Sequence, residues 1–185
     1  DGLYRHIRTS KEIIRNLLND LQKNKRAIQL YQKHGFAVER EYVVLNSGDR
    51  PEEDVPFQGE EREFSQFDFS AVSNCVTVKP CFEHSTGVLQ KNSHLYSVRY
   101  TREEERISSF CVYAKANGAI LQLGYEDLSA LKRILQSLIS TFPSVGVKNI
   151  DTSYPQVLEL LHSLHFKEMT RQFEMSKKLI RSQKS

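Results

Sequence analysis

The sequence predicts an α/β (α+β) protein, and three observations carry that prediction. Residues 24–36 show the pattern of a short amphipathic helix that stops at a glycine, and an extended run follows at 36–45. Residues 74–125 contain segments rich in Val, Tyr and Phe that are separated by turn residues. Leucine-rich helical patterns then alternate with short strand patterns. Strands and helices therefore share one chain.

Composition and charge narrow the functional classes. The 185 residues could bury a core as one generous domain or two small ones. A net charge of +3, without a basic block interleaved with aromatics, argues against a nucleic-acid partner. No apolar run approaches the roughly 20 residues that span a bilayer, so no membrane association is expected. Three cysteines without paired spacing argue against a disulfide framework and favour a reduced, cytoplasmic setting.

The first predicted element is a helix that begins at Thr9. Thr9 and Glu12 have the spacing of a capping box. The apolar residues that follow recur on one helical face, and they are Ile13, Ile14, Leu17, Leu18 and Leu21. We expect no strand between this helix and the one that follows Asn24.

An acidic segment then separates two parts of the chain. Residues 47–51 have turn chemistry, and six carboxylates lie between residues 52 and 63. The segment 47–66 is therefore interpreted as a solvated linker. A groove that attracts an amine substrate is the alternative interpretation.

Later elements follow from local signals. Strands are predicted at 74–79, 94–100, 107–114, 119–125, 145–150 and 166–175. Asn117 and Gly118 predict a hairpin turn between two of these strands. Helices are predicted from Leu128 up to Pro143 and from Pro155 onwards.

The letters of residues 24–36 also match a family motif. Asn24, Ala27, Tyr31, Gly35 and Phe36 are in register with Asn-x-x-Ala-x-x-Leu-Tyr-x-x-x-Gly-Phe. This stretch resembles the late motif of the GNAT superfamily of acyl-CoA-dependent N-acyltransferases. The resemblance implies a mixed, mostly antiparallel sheet flanked by helices, and an enzyme that transfers an acetyl group from acetyl-CoA to a small-molecule or protein amine. The resemblance is also compatible with a homodimer.

The resemblance also implies roles for individual residues. Tyr31 would protonate the leaving thiolate, although its ring could instead be part of the core. Asn24 would contact the pantetheine arm of the coenzyme, although Asn is also a good helix N-cap. The segment around Arg5, Arg8, Thr9 and Ser10 would cradle the coenzyme pyrophosphate. Arg8 and Ser10 replace the family's glycines, so an exposed basic helix entry is the alternative.

A second copy of the motif follows the linker. Residues 154–166 overlay residues 24–36 without a gap, although Leu161 replaces Tyr31 and no glycine-rich cradle precedes Leu131. We therefore expect two copies of which the first is incomplete. Their boundaries are 1–46 for the C-terminal part of a first GNAT-like domain, 47–66 for the linker, 67–176 for a degenerate second copy and 177–185 for a basic tail.

The sequence does not point to a particular general base or to a metal site. The general base is not identifiable among Glu39, Glu41, His84 and His94, which all have ordinary surface interpretations. No metal site is expected, because His162 and His165 lack a third ligand at metal spacing. Two alternatives stay open beside the enzyme: a non-catalytic GNAT-like module for ligand binding or assembly, and a single α/β binding domain without coenzyme.

Overall fold

A computed structural model describes residues 13–18, 25–48 and 56–178, with the backbone alone for residues 13–18, 25 and 178. The strands in this part of the chain are β1 (Ile13–Leu18), β2 (Ala37–Asn46), β3 (Glu60–Glu63), β4 (Val76–Thr77), β5 (Tyr96–Glu103), β6 (Arg106–Ala114), β7 (Ile120–Tyr125), β8 (Gly146–Asp151) and β9 (Lys167–Lys178). The α-helices are α1 (Lys25–Lys33), α2 (Thr86–Leu89), α3 (Leu128–Thr141) and α4 (Pro155–Ser163).

The chain divides into two compact units. The smaller unit comprises Asp1–Tyr42 and Thr170–Ser185, and the larger unit comprises Val43–Met169. Strands β2 and β9 each contribute residues to both units. The domain boundaries expected from the sequence stay predictions.

The larger unit contains a mixed, mostly antiparallel sheet, as the sequence predicts. Its strands follow the order β2, β8, β7, β6, β5, β3, and β4 pairs with β7. The pairs β3–β5, β4–β7, β5–β6 and β6–β7 are antiparallel, whereas β7 and β8 are parallel. The hairpin between β6 and β7 turns at Gly118, which has a φ of +69° and donates its N–H to Ala114 O.

Helix α3 packs on the core of the larger unit through its leucine-rich face. Leu131, Leu135 and Leu138 are fully buried in this core. The spacing of these residues places them on one side of the helix, which is the pattern that predicted it. The helix ends at Thr141, ahead of Pro143, because proline cannot donate a helical hydrogen bond. Among the described residues, no helix is both long and apolar enough to cross a membrane.

The smaller unit contains β1, β9 and the first part of β2, in the order β1, β9, β2. Strand β1 runs antiparallel to β9, with Ile13 opposite Lys178 and Leu18 opposite Phe173. The helix predicted from Thr9 to Leu21 is therefore wrong for residues 13–18, and so is the expectation that no strand precedes α1. An apolar run of this length fits a strand as well as a helix, and pairing with β9 decides between them.

The acidic segment also differs in part from its prediction. Glu60–Glu63 forms strand β3, which is paired with β5 and followed by the buried Phe64, although this segment was expected to be a linker. Other predicted strands have different bounds: the strand expected at 74–79 is reduced to Val76–Thr77, the one expected at 94–100 is Tyr96–Glu103, and the one expected at 166–175 is Lys167–Lys178. The basic tail begins within β9, and residues 179–185 lie outside the described part.

Candidate functional site

Helix α1 and the turn after it have the conformation that the sequence predicts. Gly35 has a φ of +81°, donates its N–H to Gln32 O at 2.9 Å, and ends the helix. Phe36 N–H then donates to Tyr31 O at 3.0 Å, and β2 begins at Ala37. The turn thus brings the Phe36 ring back against the helix.

Tyr31 is the predicted catalytic residue that the structure describes. Its side chain is half-buried, and its ring lies 5.4 Å from the Phe36 ring at an interplanar angle of 86°. The two rings join an apolar cluster around Met175. Packing therefore orients the Tyr31 ring while part of the side chain stays exposed. Leu30, the residue before it on the helix, is 56% exposed.

The other predicted coenzyme-binding residues lie outside the described part of the chain. They are Arg5, Arg8, Thr9, Ser10 and Asn24. Their roles stay predictions.

Helix α3 starts in the segment where the sequence has no glycine-rich phosphate cradle. Asp127 caps this helix, and its carboxylate accepts hydrogen bonds from Ser129 N–H at 2.8 Å and Ala130 N–H at 3.0 Å. These are the donors that a helix N-terminus offers to a bound phosphate. Because a carboxylate of the chain already occupies them, this helix start does not fit a pyrophosphate.

The backbone of the C-terminal half of β7, which leads into α3, is also paired with another strand of the chain. Val76 and Thr77 of β4 lie opposite Tyr125 and Gly124, and Val78 N–H donates to Leu123 O at 3.0 Å. Strands β7 and β8 pair at Ile120 and Val147. After Ile120, β7 separates from β8. Its backbone N–H and C=O groups on that side are paired with β4 and Val78, so they are not available to an extended ligand.

The acidic strand β3 borders an open groove of about 460 Å³. Each of three β3 glutamates is paired with a basic side chain of the same unit: Glu60 with Arg102, Glu61 with Arg99, and Glu63 with Lys115. The Tyr100 hydroxyl also donates to Glu60 at 2.6 Å, and this hydrogen bond lowers the pKa of that carboxyl. Because basic side chains offset the negative charge of these glutamates, the groove has little net charge with which to attract a cationic amine.

Cys81 and His84 lie close together on one turn of the larger unit. The Cys81 thiol is buried and accepts a hydrogen bond from the Asn149 amide at 3.4 Å. Burial raises the pKa of this thiol. Burial, and then the nearby Lys148 charge, lower the pKa of His84 to about 4. Both groups are therefore held neutral, which is the wrong state for a thiolate–imidazolium nucleophile pair.

Two of the candidate bases are engaged by neighbouring side chains in the smaller unit. Glu41 lies 3.1 Å from Arg171, and Glu39 accepts a hydrogen bond from the Ser176 hydroxyl. His94 is exposed in the larger unit. No group of three or more His, Cys, Asp or Glu side chains with metal-binding geometry occurs among the described residues.

The smaller unit contains a buried polar cluster that was not predicted from the sequence. Arg40 and Tyr42 of β2 contact Glu174 of β9, and Gln172 lies two residues before Glu174. Arg40 and Glu174 are 134 residues apart, so no local motif connects them. The one signal in the sequence is a polar residue at every second position of β9 from 172 to 176, which shares one face of a strand.

Comparison with known proteins gives structural relatives alone. No family model matches the chain, and no curated protein matches it. A GCN5-related N-acetyltransferase from Sphaerobacter thermophilus is 14% identical with a TM-score of 0.57, over 91% of this chain and 61% of its own. A suggested acetyltransferase from Pyrococcus horikoshii is 16% identical with a TM-score of 0.60, over 91% of this chain and 54% of its own.

A third similar structure is a suggested GNAT-family acetyltransferase from Novosphingobium aromaticivorans. It is 10% identical with a TM-score of 0.53, over 93% of this chain and 77% of its own. The chain thus spans between half and two thirds of the length of the first two structures. At these identities the similarity concerns the fold, and the chain has the fold of the GNAT acetyltransferases.

Proposed function

We propose that the protein is an N-acetyltransferase that transfers an acetyl group from acetyl-CoA to an amine. The observation that carries this proposal is the segment α1–Gly35–β2 in a chain with the fold of GNAT acetyltransferases. Tyr31 lies on this helix, oriented by Phe36 and still partly exposed. A side chain that must reach a bound thioester needs both properties.

The coenzyme supplies the thioester that is attacked. The proposed binding residues are Arg5, Arg8, Thr9, Ser10, Asn24 and Tyr31. The C–N bond of the new amide forms as the C–S bond of the thioester breaks, and the sulfur leaves as a thiolate. Tyr31 gives its phenolic proton to that thiolate and regains one from solvent. The amine loses its own proton to a base.

A tandem arrangement belongs to the same proposal, with the second copy at about 67–176. It is supported by matching ends of α1 and α4. His165 has a φ of +64°, as Gly35 has +81°. Phe166 N–H donates to Leu161 O at 3.1 Å, as Phe36 N–H donates to Tyr31 O at 3.0 Å.

The second copy is proposed to be non-catalytic and to bind no acetyl-CoA. Leu161 has no proton to give, and the Asp127 carboxylate occupies the N–H groups at the start of α3. A coenzyme pyrophosphate would meet this negative charge.

The alternative function is a non-catalytic GNAT-like module for ligand binding or assembly. It is favoured by Arg8 and Ser10, which stand where a coenzyme cradle would have glycines. The proposal includes a small-molecule or protein amine as acceptor, in line with the acetyltransferase fold relatives, and a cytoplasmic location, in line with the cysteine content. A homodimer is a further part of the proposal.

An assay of thiol release tests the proposal directly. The protein is incubated with acetyl-CoA and a panel of primary amines and lysine-containing peptides, and free CoA thiol is measured with acetylated product. Amine-dependent release supports the enzyme. Coenzyme binding without any amine-dependent release would favour the non-catalytic module.

A further inference from the structure

The strand order of the smaller unit places a strand of one copy within the other. Strands β1 and β2 flank α1 in the sequence and belong to the proposed first copy. They are not neighbours in the sheet, because β9 lies between them. Strand β9 follows α4, so it belongs to the proposed second copy. The second copy therefore contributes a strand to the sheet around α1.

The larger unit shows the reciprocal arrangement. Its strand order begins β2, β8, so the strand after α1 lies beside the strand before α4. Just beyond β2, Ser47 N–H donates to Val145 O at 2.9 Å, next to the start of β8. In each copy, the strand that follows the helix is thus paired with a strand of the other copy. The two copies exchange strands, as domain-swapped protomers do.

Met175 is the residue of β9 that lies against Tyr31. Met175 is 0% exposed, and both residues belong to the smaller unit. The side chains packed against Met175 are those of Ala27, Ile28, Tyr31, Phe36 and Phe173. The Tyr31 ring therefore has two supports, which are the Phe36 ring at 5.4 Å and Met175. Phe36 comes from the first copy, and Met175 comes from the second.

We propose that Met175 is a positioning residue for Tyr31 and that the second copy supplies it. This inference rests on the proposed function, because it concerns the group that protonates the leaving thiolate. The second copy binds no coenzyme itself and is still required for turnover, because its last strand holds the proton donor of the first copy in place.

The need for a second support follows from side-chain rotamers. A single aromatic contact leaves the Tyr31 ring able to adopt another staggered rotamer. Met175 closes the side of the ring that faces β9, and a thioether makes favourable contacts with aromatic rings. Truncation of Met175 leaves a cavity into which the ring can move. Proton transfer needs the hydroxyl within hydrogen-bond reach of the sulfur, so a small displacement of the ring lowers turnover.

Three substitutions at position 175 test the proposal in the full-length protein. Met175→Leu nearly keeps the side-chain volume and should keep kcat. Met175→Ala should lower kcat about tenfold with the KM for acetyl-CoA unchanged, because it displaces the ring and not the coenzyme. Met175→Val leaves a smaller cavity, should have an intermediate kcat, and replaces Met175→Ala if that variant does not fold.

Leu138→Ala is the matched control, because Leu138 is fully buried in the core of the larger unit. It should lower the melting temperature, as Met175→Ala does, and leave the kcat of the folded protein unchanged. An equal fall of kcat in Leu138→Ala and Met175→Ala would overturn the proposal. An unchanged kcat in both Met175→Ala and Met175→Val would do the same.

The ring NMR signals of Tyr31 give a readout that needs no turnover. They are identified by their loss in Tyr31→Phe, and we expect Met175→Ala to shift or broaden them far more than Met175→Leu does. Unchanged ring signals in Met175→Ala would overturn the proposal, even in an active protein. Shifted signals in a protein that acetylates no amine would instead reject the proposed function and support the placement of the Tyr31 ring by Met175.

Discussion

Arg40 and Glu174 form an ion pair in the smaller unit with 2.6 Å between Arg40 Nη2 and Glu174 Oε2, and the Glu174 side chain is 1% exposed. The pair joins strands β2 and β9. Its carboxylate has been removed from water almost completely, so its charge depends on the guanidinium for compensation.

Arg40→Met should therefore be strongly destabilising. Removing the cation leaves a buried, uncompensated carboxylate, and we expect a loss of about 3–5 kcal/mol in the free energy of unfolding, measured by urea denaturation. The double variant Arg40→Met/Glu174→Met removes both charges and should recover most of that loss. A double variant no more stable than Arg40→Met alone would show that the charge balance is not the source of the effect.

His84 should make the stability of the protein depend on pH. Its folded-state pKa is lowered from 6.5 to about 4, first by burial and then by Lys148. The unfolded chain therefore binds a proton more readily than the folded chain. The contribution of His84 is fully present above pH 6.5 and is lost as the pH falls towards about 4, with a total near 3 kcal/mol at most.

The variant His84→Gln should flatten that part of the pH profile, measured as unfolding free energy between pH 7 and pH 4. His94→Gln is the matched control, because His94 is exposed. An equal slope in the His84 variant and the unaltered protein would place the pH dependence elsewhere.

Asp127 should stabilise the folded protein, because its carboxylate caps the N-terminus of α3. Asp127→Ala leaves the N–H groups of Ser129 and Ala130 without their acceptor. We expect this to cost about 1 kcal/mol in thermal unfolding, whereas Asp127→Asn should cost a few tenths. If Ala and Asn variants had the same stability, the carboxylate would not be acting as a cap.

Much of the larger unit was predictable because its signals are local. The turn at Gly118 and the leucines of α3 each decide the structure within a few residues of sequence. The conformation of Gly35 and the following strand were predictable for the same reason.

The errors arose where a distant partner decides the structure. Residues 13–18 form a strand because β9 pairs with them, and Glu60–Glu63 form a strand because β5 supplies both backbone partners and basic side chains. In the candidate site, the helix and glycine turn around Tyr31 were predictable from local signals, and the role of Tyr31 stays a prediction. Gln172 and Glu174 were not predictable, because their burial depends on contacts that no local pattern records.

Tyr31→Phe tests the proposed proton donor. The variant keeps the ring against Phe36 and removes the hydroxyl. We expect turnover to fall by about 100-fold, with the affinity for acetyl-CoA unchanged, as measured by initial rates and by coenzyme titration. Tyr96→Phe, at a half-buried tyrosine whose ring packs near Phe64, is the matched control and should retain turnover. Unchanged turnover in the Tyr31 variant would remove its role as the acid.

The most direct measurement of the central claim is a calorimetric titration of the full-length protein with acetyl-CoA. We expect saturable binding of one coenzyme per chain, because the α1 segment is proposed to belong to a coenzyme-binding copy and the second copy is proposed to bind none. No binding at millimolar acetyl-CoA would contradict the enzymatic account. Two coenzymes per chain would contradict the assignment of the second copy as non-binding.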